Sequence, residues 1–191
     1  GGGGGGTFVV KKISTTNKIA LVVAGGGGGA VGYNIDPNVV SQNASILETP
    51  THHIRCDDYV PFVTVSEIVK RSTQSGCKNS IPIIGQGASS CGGVGYSTGG
   101  AGYEGNSSAS GAITTKGFSF INGGKGSVSN LYQGSSNGGF GGGGAGSFAS
   151  GGGGGYTGGP CGGTTADTVG DKMYSYYGAG GGGGSYLISD A

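Results

Sequence analysis

Residues 1–29 read GGGGGGTFVVKKISTTNKIALVVAGGGGG. Two arms rich in β-branched and apolar residues, TFVVKKI and KIALVVA, flank the polar connection STTN, and a glycine run closes each outer end. Val, Ile and Phe suit a pleated, half-buried surface and a four-residue polar connection suits a hairpin, so the stretch predicts strand, turn and strand between two glycine blocks.

Further glycine runs stand at 141–144, 151–155 and 180–184, and glycine makes up 51 of 191 residues against an ordinary share of roughly 7%. Such runs are flexible linkers unless something orders them. Fixing a backbone costs about 1–2 kcal/mol per residue, more for glycine, and one net hydrogen bond returns only about 0.5–1.5 kcal/mol. A lone run therefore stays disordered. Several runs side by side differ, because an extended threefold helix without side chains can be approached from every direction and each N–H can meet a carbonyl next door. At about 3.1 Å per residue, five or six glycines span roughly 16–19 Å, close to the ~17–20 Å of a typical strand. The runs thus match the hairpin arms in length. Phe8, Phe140, Phe148, Tyr156 and Tyr186 stand at or near glycine borders, and the spacing of eight from Phe140 to Phe148 to Tyr156 suggests similar short units joined by turns. The expected fold class is mainly β and irregular: a bundle of polyglycine II helices with β-hairpins, stapled by disulfides and carrying a mixed insertion.

The length suits one domain over 1–191. Within it, 33–84 has ordinary composition, with Gly76 its only glycine and with both histidines, both arginines and two cysteines, and reads as an insertion. An extended segment is expected over 57–65 and a short helix from Ser66, its N-cap, ending before Gly76. Later strand candidates are 112–119 and 186–189.

Charged residues are 10% of the chain and the formal net charge is +1, which leaves little field to draw a phosphate backbone. Arg55 and Arg71 are the only arginines and neither lies in an arginine–glycine repeat, so no nucleic-acid partner is expected. The longest apolar stretch, 19–24, is far short of the ~18 residues that cross a bilayer, and no membrane insertion is expected. A sequence that opens on six glycines is expected to be a processed product or a piece of something longer.

Cys56, Cys77, Cys91 and Cys161 show no C-x-x-C spacing, and an even count in a core-poor chain reads as two disulfides formed in an oxidising compartment. Three pairings are open; Cys56 with Cys77 and Cys91 with Cys161 is the favoured one. Asn43, in Asn-Ala-Ser, and Asn106, in Asn-Ser-Ser, are glycosylation acceptor patterns in a chain rich enough in Asn and Ser to produce them by chance. The expected setting is extracellular or at the cell surface.

Catalytic chemistry has little to stand on. His52, His53 and Cys56 are zinc-compatible types, yet a fourth ligand is missing nearby and adjacent residues of an extended chain face opposite ways. A hydrolase would have to use His53 with a serine and Asp36, or with Cys56 as nucleophile, and Asp57 with Asp58 reads as a solvated turn. G-x-G-x-x-G matches are uninformative in a quarter-glycine chain, and no phosphate-binding G-x-x-x-x-G-K-[ST] occurs. No catalytic, cofactor-binding or metal residues are assigned, and no enzyme is expected.

The order GGGGGGTFVVKKI, polar turn, KIALVVAGGGGGAVGYN, and later NGGFGGGGAGSFASGGGGGYTGG resembles the glycine-rich extracellular domain of the anaplastic lymphoma kinase and leukocyte tyrosine kinase receptors and related secreted surface proteins. The likeness covers the first hairpin and about 123–159. It implies a bundle of polyglycine helices with hairpins, attached in the receptors to a preceding β-sandwich, that binds a cytokine-like ligand and is not an enzyme. Phage tail-fibre adhesins offer a looser analogy. The insertion at 33–84 departs from the receptors, and the receptors' ligand contacts map onto no position here. The leading expectation is a structural module that associates with copies of itself into an appendage, filament or matrix. The alternative is a ligand-binding or adhesin module that recognises a protein or glycan through 33–84.

Overall fold

The computed structural model describes residues 1–30, 83–88, 90, 96–109, 114–130, 135–147, 149–162, 164–169, 172–177 and 179–188, of which 164–169 and 172–177 are described by backbone alone. The expected insertion, apart from its last two residues, and the helix from Ser66 lie outside these residues. What is described is mainly β and irregular, with one 3₁₀ turn at Phe120–Asn122.

The first hairpin forms where the β-branched arms stand. Strand β1 (Thr7–Lys12) pairs antiparallel with β2 (Lys18–Ala24), and β5 (Tyr186–Leu187) adds to the far side of β2, giving the order β1-β2-β5. Residues 13–17 close the turn: Asn17 O accepts from the N–H groups of Ile13 and Ser14, and Ser14 Oγ accepts from the Asn17 N–H at 3.0 Å. Val9 lies opposite Val22 and Val10 opposite Ala20, which leaves Leu21 as the extra residue of a bulge. The bulge turns Ala20 and Val23, three residues apart, onto one inner face, where both are buried. The Leu21 carbonyl it displaces accepts from the Ile188 N–H at 2.9 Å.

Beneath that face runs a row of rings from distant parts of the chain. Phe8 stacks on Phe120 at 4.6 Å, Phe120 on Tyr103 at 5.6 Å, Tyr103 on Tyr156 at 5.9 Å and Tyr156 on Tyr186 at 4.2 Å between centroids. With Val10, Ala20 and Val23 these rings form a thin apolar layer between the sheet and the glycine segments. Offset aromatic pairs contribute about 0.5–1.5 kcal/mol beyond the area they bury. Phe140 departs from the expectation for border aromatics, being 79% exposed and outside the row. Its position two eight-residue steps before Tyr156 therefore marks no shared environment, and Phe148, the step between, lies outside the described residues.

The glycine runs are hydrogen-bonded side to side, and each addresses a given neighbour at every third residue. Gly3 and Gly6 donate to Gly144 and Gly141; Gly26 and Gly29 donate to Gly154 and Gly151; Gly180 and Gly183 donate to Gly29 and Gly26. The run 151–155 lies at the centre and is buried throughout. Its N–H groups go three ways: Gly151 and Gly154 to Gly1 and Gly4, Gly152 and Gly155 to Thr98 and Ala101, Gly153 to Gly181. Its carbonyls go three other ways: Gly151 and Gly154 accept from Gly29 and Gly26, Gly152 from Gly144, Gly153 from Gly159. All nine bonds measure 2.7–3.3 Å, so six segments ring the central run, three as acceptors and three as donors. The interior here is backbone, satisfied laterally as buried peptide groups must be.

Close approach is what requires glycine in that ring. A Cβ on Gly153 would land on the carbonyl oxygen of Gly26, with the Gly183 nitrogen 2.8 Å away. Two of the surrounding segments, 98–101 and 157–160, carry Thr, Ala and Pro among their glycines, because only residues whose Cβ would point at a neighbour need to lack one.

Two further differences from the sequence reading concern strands. β3 (Thr164–Val169) and β4 (Lys172–Tyr177) form a separate antiparallel hairpin that the sequence reading did not predict. The signal was present as Gly170-Asp171 between two β-prone arms, a recognised two-residue hairpin connection. Conversely, the described part of 112–119 is not a strand. Thr114 makes one isolated bridge to Ser129, and Thr115 and Phe118 donate to Val128 and Lys125 with the three-residue spacing of the glycine segments rather than strand alternation.

Candidate functional site

The sequence-derived candidates divide sharply. Cys56, Cys77, Cys91, Asn43, Asp36, His52, His53, Asp57 and Asp58 all lie outside the described residues. Cys161 and Asn106 do not.

Cys161 is buried beside the glycine segments, and no cysteine among the described residues is free. Asn106 is half-buried and structurally engaged. Its Oδ1 accepts from the Ser119 N–H at 2.8 Å and from Asn122 Nδ2 at 3.2 Å, while Asn122 Nδ2 also donates to Ser119 Oγ at 2.7 Å. The carboxamide thus fastens the chain after Tyr103 to the start of the 3₁₀ turn that carries Phe120.

Tyr103, which the sequence reading did not single out, is the residue on which sheet and ring row converge. It is buried, touches Phe8, Phe120 and Tyr156, and its hydroxyl donates to the Lys18 carbonyl at 2.9 Å. Burial first, and the Glu104 charge second, hold that hydroxyl above the usual tyrosine range, so it stays protonated and keeps donating. Among the described residues no group of three or more His, Cys, Asp and Glu is placed to hold a metal ion.

What the described surface offers is the outer side of the three-stranded sheet. Val9 (53% exposed) pairs with Val22 (41%), and Val22 with Leu187 (69%), so one apolar row crosses all three strands. Ile19 extends it along β2. A contiguous exposed row on so small a sheet is the kind of feature that marks a contact surface. β1 is the open edge: beyond its ladder with β2, residues 7–12 make no backbone hydrogen bond to another segment among the described residues. Lys11 and Lys12 stand at one end of that edge.

Comparison with protein-family models, with curated proteins and with solved structures finds no match. Among the described residues no helix is long and apolar enough to cross a membrane.

Proposed function

We propose that this chain is a non-enzymatic extracellular structural module, built on a bundle of polyglycine II helices, that associates with copies of itself into an appendage, filament or matrix. The observation that carries the reading is the six-neighbour arrangement about residues 151–155, with donors and acceptors dividing the six directions between them. Three residues per turn puts every third N–H on the same side, which is the spacing observed from run to run. Such a core is rigid and close-packed with little side-chain volume, and suits a load-bearing element better than a site that must open and close. The apolar row of Val9, Val22 and Leu187 supports contact with a further surface. Disulfides among Cys56, Cys77, Cys91 and Cys161 would fix the ends of the bundle. The resemblance to glycine-rich receptor domains points to the same core and to an extracellular setting.

Electron microscopy and sedimentation of the purified chain test the function. Concentration-dependent oligomers or fibres are the expected result. A chain that stays monomeric up to about 1 mM, a concentration at which even weak contacts register, would overturn self-association. It would favour the adhesin reading through 33–84.

A further inference from the structure

We propose that the open edge of β1 pairs antiparallel with the β1 of a second copy, across a two-fold axis at Val9, to make one six-stranded sheet. This deepens the self-association reading and rests on it, by naming the surface and the register.

Three observations lead there. First, β1 is a full six-residue strand whose outer backbone groups have no partner among the described residues, whereas the opposite edge, β5, has only two residues. Strand addition draws its affinity from those backbone groups, so the longer edge is the competent one. Second, the side chains restrict the register. Thr7, Val9 and Lys11 are exposed while Phe8 and Val10 are half-buried on the ring row. Directly opposed residues share a face, so outward must meet outward. A two-fold at Val9 satisfies this, placing Val9 opposite Val9, Thr7 opposite Lys11 and Phe8 opposite Val10.

Third, the geometry of the edge selects the orientation. Only one edge of β1 is open, so a parallel pairing of two copies would turn one sheet over and set exposed Val9 on the face of the partner's half-buried Phe8 and Val10, whereas the antiparallel pairing keeps both inner faces on one side. In the antiparallel arrangement the two Lys11 residues stand four residues apart, about 14 Å at strand rise, beyond the ~8 Å screening length of physiological salt. The lysines that protect this edge from indiscriminate pairing therefore leave this one pairing open. It also carries the apolar row of Val9, Val22 and Leu187 uninterrupted from one copy into the other.

The test is a crosslink. Val9→Cys sets two thiols directly across the axis, within reach of a cross-strand disulfide, whereas Val22→Cys places an equally outward thiol one strand further in. With diamide as oxidant, Val9→Cys is expected to form covalent dimer at least about tenfold faster than Val22→Cys on a non-reducing gel. Independently, Val9→Lys puts like charges in direct opposition and is expected to weaken dimerisation about tenfold or more by sedimentation, with the thermal melt at low concentration unchanged because Val9 is 53% exposed. If the parent chain associates but the two cysteine variants crosslink equally, or Val9→Lys associates as the parent does, this interface is wrong and self-association stands. A parent that stays monomeric overturns both.

Discussion

The five residues 151–155 and the seven of strand β2 both lie against several neighbours, yet they are held by opposite means. β2 offers its backbone to two neighbours and its side chains to the ring row, so Ala20 and Val23 are buried by what they carry. The central glycine run offers its backbone to six neighbours and is buried by what it lacks. A side-chain core tolerates a lost methylene as a partly collapsible cavity. A backbone core fails in the other direction, through any added atom.

The sharpest way to break that contrast is Gly153→Val. Its Cβ meets the Gly26 carbonyl and its branches would separate three segments at once, so backbone bonds are lost on several sides. The expected loss is more than about 4 kcal/mol, seen as a melting point lowered by at least about 10 °C or as no cooperative melt at all. A variant that melts with the parent would mean that the run is not packed.

Next in size comes Tyr103→Ala, which removes the ring in contact with Phe8, Phe120 and Tyr156 together with the hydroxyl bond to Lys18. About 3 kcal/mol is expected by calorimetry, with Tyr103→Phe accounting for about 1 kcal/mol of it. Because burial raises the hydroxyl's pKa, the bond's contribution is complete below the ordinary tyrosine value of about 10 and fades only as pH rises through the raised one. The stability difference between the parent and the Tyr103→Phe variant should therefore be flat across neutral pH.

A smaller but more discriminating pair is Gly3→Ala against Gly4→Ala. These glycines are adjacent, yet a Cβ on Gly3 would land on the Gly152 carbonyl oxygen while one on Gly4 would stand 3.4 Å from the Gly27 oxygen, an ordinary contact. About 2–3 kcal/mol is expected for Gly3→Ala and within about 0.5 kcal/mol for Gly4→Ala. Equal effects, whether large or small, would sink the account of direction-specific packing, since a linker or a uniformly crowded interior makes no such distinction between neighbours.

How much of this was legible beforehand follows from the same contrast. The first hairpin was readable because TFVVKKI and KIALVVA announce strands by residue type, and only the bulge at Leu21 needed the structure to reveal it. The side-by-side bonding of the long glycine runs was readable from their lengths. The ring row was half readable: Phe8, Tyr156 and Tyr186 stand beside glycine runs, but Tyr103 and Phe120 sit in mixed sequence and reach the row only through tertiary contacts. Segments 98–101 and 157–160 were missed because their Thr, Ala and Pro break the run, although the packing asks for glycine only where a Cβ would face a neighbour. The hairpin of β3 and β4 was hard to read because its first arm, TTADTV, carries a single large apolar residue, so only Gly170-Asp171 and the tyrosines of KMYSYY signal it.

The smallest effect concerns the outer face of the hairpin, where neither kind of core operates. Val22→Thr keeps β-branching and strand propensity while removing one methyl from a row that is 41% exposed at this position. In dilute solution the melt should move by no more than about 0.5 kcal/mol, because surface substitutions away from packed features rarely do more. At high concentration the same change should weaken any contact that covers the row, so dilute and concentrated melts of the variant should differ from those of the parent only in the second case. A loss above about 1 kcal/mol in dilute solution would show that the row is already covered within one chain, and the side-chain layer would then have two buried faces rather than one.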